Sequence, residues 1–256
     1  MDITSGSGSY AAVSNVTNVA TVTVEGSKVI INAVSTGSAT ITVKDNQTQE
    51  RAKIEVTVTD TPQGYLTCPD DHHPHLIDLG LPSGTKWACC NVGADKPEAY
   101  GGYYAWGETE EKSTYTWENY IHCDGSHETC HDLGSDIAGT QYDVAHVKWG
   151  DSWVMPSKEL VDELMGNCTY EWTTVNGVSG GRFTSKSNGC SIFLPAAGYR
   201  FDSGLYYAGS SGLYWPSTQD PSYSDRACIL RFNSGLTDRR YASRDFGHSV
   251  RPVVRN

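Results

Sequence analysis

The feature that most constrains this chain is the spacing of its apolar residues, which is two almost everywhere. Up to about Asp60 they fall into short alternating runs: Ala20, Val22 and Val24, then Val29 and Ile31, then Ala39, Ile41 and Val43, then Ile54, Val56 and Val58. A period of two puts each set on one face of a strand. Glu25-Gly26-Ser27, Ser35-Thr36-Gly37 and Asp45-Asn46 separate the runs with turn-forming residues. No helical period interrupts them, so residues 1–60 predict a β-sandwich.

Residues 61–74 carry Pro, Asp and His without periodicity and predict a linker. A second domain, 75–256, is expected to begin near His75. It offers few helices. Pro97, with Asp95 near its cap, predicts a short one. Ser157 predicts an N-cap, followed by Glu159 and an apolar stripe of Leu160, Val161, Leu164 and Met165, with Gly166-Asn167 as the stop. From Tyr170 onward strands and Gly-rich turns return.

The 256 residues are enough to bury a core without staples, and 26 Gly, 15 Tyr and 7 Trp with 19% charged residues suit a turn-rich β protein. The net charge of -11 argues against a general nucleic-acid or membrane-surface binder. That charge is uneven. Asp220 to Asn256 holds seven Arg and four Asp, a balance of +3, which leaves -14 for the remainder. A basic patch on an acidic chain predicts a local binding surface, with some of the arginines in structural ion pairs. No apolar run is long enough to span a bilayer, and Met1-Asp2-Ile3 does not open a signal peptide. The chain is expected to be part of a longer exported protein whose signal and anchor lie elsewhere.

The eight cysteines are Cys68, Cys89, Cys90, Cys123, Cys130, Cys168, Cys190 and Cys228, and an even count permits disulfides without fixing their pairing. Adjacent Cys89 and Cys90 would point to opposite faces of a strand. Cys123 and Cys130 share one loop and form the best-placed local pair. His122, His127 and His131 lie in that loop, and His72, His73 and His75 in the linker, but no common zinc spacing is present. Gly177-Val178-Ser179-Gly180-Gly181 spells a nucleophile elbow, yet Asn176-Gly177 predicts a hairpin turn and Arg182-Phe183-Thr184 a continuing strand. The chain is read as a non-enzyme without cofactor or metal.

Longer stretches carry a family resemblance. SGSGSY at Ser5, VATVTVEGSKVIINAVSTGSATITV at Val19 and the closing IEVTVTD resemble a bacterial immunoglobulin-like domain of group 2, its first strand missing. DLGLPSGTKWACCNVGA at Asp78, EAYGGYYAWGET at Glu98, GTQYDVAHVKWGDSWVMPS at Gly139, SIFLPAAGYR at Ser191 and the closing FNSG…FGHSVRPV resemble the major paralogous domain of Fibrobacter and Bacteroidetes surface proteins. Such domains are similar to the C-type-lectin-like, α+β fold of formylglycine-generating enzymes and of the variable proteins of diversity-generating retroelements. The resemblance implies an Ig-like stalk carrying a ligand-binding head on a bacterial cell surface. The implied partner is a protein or other surface ligand, carbohydrate included, or pilus subunits. Alternatives are a structural pilus or surface subunit and an enzyme related to sulfatase-modifying factors. Gln219-Asp220-Pro221 holds the residues of a calcium-lectin triplet in another order, and no W-N-D follows. Calcium-dependent sugar binding is therefore not expected.

Between Asp220 and Asn256 there is no Lys, Glu, Gln, Met or Trp. Adenine-directed mutagenesis of Asn codons ending in a pyrimidine cannot create any of these five. The family framework here is Trp215, Ala227, Leu230, Phe232, Asn233, Ser234, Gly235, Arg244, Gly247, Ser249, Val250, Arg251 and Pro252. Interleaved with it, the expected ligand-binding positions are Asp225, Arg226, Ile229, Arg231, Leu236, Thr237, Asp238, Arg239, Arg240, Tyr241, Ala242, Ser243, Asp245 and His248. Leu230, Phe232 and Val250 are expected in the core. Ile229 and Arg231 are expected outside it, and Thr237 to Ser243 as a polar loop.

Overall fold

A computed structural model describes residues 3–34, 37–58, 76–150 and 152–255. The chain is mainly β, and its contacts divide it into two units, Met1–Gln63 and Gly64–Asn256. The linker expected at 61–74, with Cys68, His72 and His73, lies outside the described residues, as does His75.

The first unit has five strands: β1 (Tyr10–Ser14), β2 (Ala20–Glu25), β3 (Lys28–Ala33), β4 (Gly37–Asp45) and β5 (Arg51–Val58). They form two antiparallel sheets, β1-β4-β5 and β2-β3. The alternation read in the sequence sets the burial: Ala39, Ile41 and Val43 of β4 are buried, with Ile31, Ile54 and Val56 packed against them. Gly26, at φ 60, closes the β2–β3 turn, where the left-handed backbone suits a residue without Cβ.

The second unit begins and ends in one sheet. β6 (Leu76–Asp78) and β7 (Lys86–Ala88) are joined by the last strand, β16 (Val253–Val254), in the order β16-β7-β6. Between them lie α1 (Val144–Trp149), α2 (Lys158–Asn167), β8 (Cys168–Val175), β9 (Val178–Ser185), β10 (Ser191–Pro195), β11 (Tyr199–Phe201), β12 (Gly204–Tyr206), β13 (Ser211–Tyr214), β14 (Arg226–Asn233) and β15 (Leu236–Ser243). Their sheets are β10-β9-β8, β11-β12 and β13-β14-β15.

Ser157 caps α2 as expected, its hydroxyl accepting from the Leu160 amide, and the helix ends at Asn167 with Gly166 in its last turn. The Asn167 side chain donates through Nδ2 to the Glu163 carbonyl and the Cys168 N–H to that of Leu164, so the last turn is closed from within. The helix expected at Pro97 is a single turn, closed by the Ala99 N–H on the Lys96 carbonyl. Six-residue α1 carries too little periodicity to be read; Asp143 caps it through the Ala145 and His146 amides. Asn176-Gly177, both at positive φ, turn β8 into β9, which places Ser179 within a strand.

Two buried arginines hold the C-terminal segment to the rest of the unit. Arg251 donates to the Asn91 side chain and to the carbonyls of Ala88, Cys89 and Phe193. Arg244 donates to the Tyr120 hydroxyl and to the carbonyls of His131 and Ser224. Most donors of the two guanidiniums are met in this way, which offsets the cost of burying them; Arg244 Nη2 has no hydrogen-bond partner, and that guanidinium lies over the Trp106 ring, 4.7 Å from its centre. Trp106 and Trp215 are also buried, and each indole N–H finds a carbonyl, that of Pro216 and of Tyr104.

Candidate ligand-binding face

The expected ligand positions gather around one hairpin. β14 and β15 pair antiparallel over eight residues, from Arg226 opposite Ser243 to Asn233 opposite Leu236. The segment Thr237–Ser243 is thus a strand and not a loop. Its polar side chains conceal the strand in the sequence, because its backbone pairing rather than its burial defines it. β15 is the last strand of its sheet, and none of its residues is buried.

β14 is buried on both sides. Leu230 and Phe232 pack with Val161, Leu164 and Phe183 in one cluster. Ala227 and Ile229 pack with Trp106, Trp215 and Val250 in another. Ile229, at 4% exposure, is therefore core, which corrects the expectation that it faces outward. The sequence concealed this because Ala227, Cys228, Ile229 and Leu230 are all apolar and two-sided burial removes the alternation. Cys228 is buried beside Leu230's face, and burial pushes its thiol up to about 11.

Two further expected positions are also inside: Asp245 and His248 are fully buried. Asp245 lies in the tight turn after β15, where the Phe246 N–H meets the Ser243 carbonyl, and His248 bridges to Tyr104. Neither ring nitrogen of His248 has a hydrogen-bond partner, and burial pulls its pKa down to about 3. Burial raises the Asp245 carboxyl to about 6, against a smaller opposing pull from Ser243.

The remaining positions divide between the two sides of the hairpin. Cross-strand partners share a side, so Thr237, Arg239 and Tyr241 stand with Phe232, Leu230 and Cys228 on the side of α2. There Arg239 Nε donates to Asp162 of α2 at 2.8 Å. Leu236, Asp238, Arg240 and Ala242 stand on the other side with Ile229 and Arg231. Arg231 grips Asp238 with two hydrogen bonds, 3.0 and 2.9 Å, and Arg240 adds a third at 2.8 Å. Partial burial works against the charge of Asp238, yet these bonds hold its carboxyl below the usual range. Arg226 lies over the Tyr223 ring, 4.7 Å from its centre, beside half-buried Asp225. Arg226 and Arg231 belong to opposite sides of β14.

The histidine and cysteine loop forms a disulfide, Cys123–Cys130. His122 is buried with Nε2 against the Gly107 carbonyl, and burial lowers its pKa. His131 pairs with Asp124. Among the described residues no three His, Cys, Asp or Glu side chains converge as metal ligands, and no helix is long and apolar enough to cross a membrane.

The residues that sequence reasoning passed over are the aromatics of β11 and β12. Phe201, Tyr206 and Tyr207 are exposed. Their signal was present in the text FDSGLYY, where three aromatics surround a turn without an apolar alternation to bury them.

No family model matches the chain, and it matches neither a curated protein nor a solved structure.

Proposed function

We propose that this chain is a ligand-binding protein of a bacterial cell surface, an Ig-like spacer unit followed by a C-type-lectin-like head that presents the β14–β15 hairpin to its partner. The observation that carries this reading is the contrast across the hairpin. β14 is locked in the core on both sides, while β15, at the sheet edge, carries Asp238, Arg239, Arg240 and Tyr241 with none of them buried. Arg and Tyr on a fixed scaffold are the residue types that concentrate binding energy. An edge strand also leaves backbone groups free to pair with a partner's chain. A protein ligand fits such an edge better than a sugar does.

Retroelement diversification supplies a test that needs no ligand. The gene is sequenced deeply from a population of the source cells. Substitutions are expected to cluster in the codons of Asp225 to His248 at adenine positions, with those of Leu230 and Phe232 unchanged. Variation spread evenly over the gene refutes the diversified-face reading.

A further inference from the structure

β11 and β12 form a two-stranded hairpin in which Tyr199 stands opposite Tyr206. The Tyr199 ring lies nearly parallel to three others: Tyr206 at 5.6 Å and 27°, Tyr207 at 6.0 Å and 25°, and Phe246 at 5.4 Å and 18°. Phe201 meets Phe246 at 4.9 Å. The outer members are far from buried, with Tyr207 at 63% exposure, Tyr206 at 44% and Phe201 at 41%. A contiguous exposed patch of this kind marks a contact site more often than scattered apolar residues do.

The patch is held in place rather than merely left outside. A Cβ on Gly204 would sit 2.6 Å from the Tyr206 ring, so the glycine is what lets that ring lie flat on the hairpin. Gly198, at φ 65, lets the backbone of Tyr206 to Ala208 cross directly above it. Tyr207 itself has φ 57, a conformation that a bulky side chain rarely adopts and that glycine would adopt without strain. Strained residues of this kind concentrate at functional sites.

The hydroxyls give a second, independent contrast. Interior tyrosines spend theirs on the protein: Tyr103 donates to the Ala197 carbonyl, Tyr120 to Trp106 and Tyr214 to Pro195. Among the described residues the hydroxyls of Tyr199, Tyr206 and Tyr207 meet no such partner. The nearby Arg200 guanidinium is turned away onto the Tyr103 ring, 5.2 Å from its centre. The patch thus offers flat apolar faces rimmed by uncommitted hydroxyls, with no charge committed to it.

We propose that this aromatic patch is a binding site for a neutral polysaccharide, separate from the β14–β15 face. Pyranose rings have one C–H-rich face to stack on an aromatic ring and hydroxyls at the rim to bond with tyrosine. The exposed rings of Phe201, Tyr206 and Tyr207 share one hairpin and the residue after it. A proline-rich peptide, the rival ligand for tyrosines, docks between aromatic walls that form a groove. The site uses no metal and does not depend on the function proposed for the β14–β15 hairpin.

The test is electrophoresis of the whole chain through native gels containing hydroxyethylcellulose, laminarin, galactomannan or xylan, beside a gel without polysaccharide. Retardation by at least one of the four is expected. Tyr207→Gly should abolish it while leaving the melting temperature equal or higher, since the strained backbone is relieved as the ring is lost. Tyr206→Ala should also abolish it, and Arg240→Ala should leave it intact, which separates this site from the β15 face. The proposal is overturned if no polysaccharide retards the chain, or if retardation survives Tyr207→Gly. It is equally overturned if Tyr207→Gly lowers the melting temperature, which would make the ring a structural one. Quenching of the tyrosine fluorescence by decaproline without glycan retardation would reassign the patch to a peptide.

Discussion

β14 and β15 are paired residue for residue, yet the two strands answer to different demands. Four consecutive residues of β14, Ala227 to Leu230, are buried, while no residue of β15 is. The difference is not one of hydrogen bonding, since both strands share the same ladder. It comes from what lies beyond the sheet. The cluster around Val161 and Leu164 covers one side of β14 and that around Trp106 and Trp215 the other, whereas β15, at the sheet edge, meets α2 through Arg239 and Asp162 and the second cluster through half-buried Ala242. One hairpin can therefore combine a strand that determines the fold with a strand that is open to replacement.

The largest effects should come from breaking β14. Leu230→Ala and Ile229→Ala, one on each side, should each cost about 2–5 kcal/mol, because each removes buried volume that its neighbours cannot refill. Urea denaturation of the two variants measures this. An Ile229→Ala cost below about 0.5 kcal/mol, the usual surface value, would mean that only one side of β14 is core.

That pair of residues also shows how far the sequence could be read. The spacing of Leu230 and Phe232 revealed one buried side, and Leu230, Phe232 and Val250 lie in the core as expected. The second side was hidden because an apolar run buried on both faces has no period. β15 was hidden for the opposite reason: an edge strand held by its ladder needs no apolar pattern of its own. In the first unit β4 buries one side only, and there Ala39, Ile41 and Val43 could be placed directly from their spacing. Asp245 and His248 were misplaced because they were chosen as interruptions of the family-like framework, which says nothing of burial, while the chain buries Asp245 in the turn after β15 and His248 against Trp215.

Those two buried residues should give a pH effect of intermediate size. Asp245 has its folded pKa raised to about 6, above the roughly 3.9 of an unfolded aspartate. As pH falls between these values the folded state takes up a proton that the unfolded state still lacks, so stability rises on acidification. His248 has its folded pKa lowered to about 3, below the roughly 6.5 of an unfolded histidine. Over that window the unfolded state takes up the proton, so stability falls on acidification. Between pH 6 and 4 the two contributions oppose each other. Asp245→Asn should leave the histidine alone, giving a decline of up to about 1.4 kcal/mol per pH unit below pH 6.5, which in the wild type is largely offset by Asp245 below about pH 6. Melting temperatures of the two proteins measured from pH 7 to 4 should diverge in that direction. Parallel curves would mean that Asp245 is ionised throughout and solvated.

The smallest effects should come from β15, and they decide whether its surface is replaceable. Arg231, Asp238 and Arg240 form one linked set on one side, and Arg239 with Asp162 another on the side of α2. All five side chains are partly or well exposed, and such pairs couple by about 0.2–1 kcal/mol, less in salt. A double-mutant cycle on Arg231→Ala and Asp238→Ala should give a coupling in that range, reduced at high ionic strength, and Arg239→Ala with Asp162→Ala should behave alike. The bidentate grip of Arg231 makes its pair the stronger of the two. Because the two sets face opposite ways, the cycles should also be independent, the four-fold variant costing the sum of the two pairs. A coupling well above about 2 kcal/mol, or strong non-additivity between the sets, would show that β15 is welded to the fold by its charges. Its residues could then not be rewritten freely, and the β14–β15 contrast would lose its functional meaning.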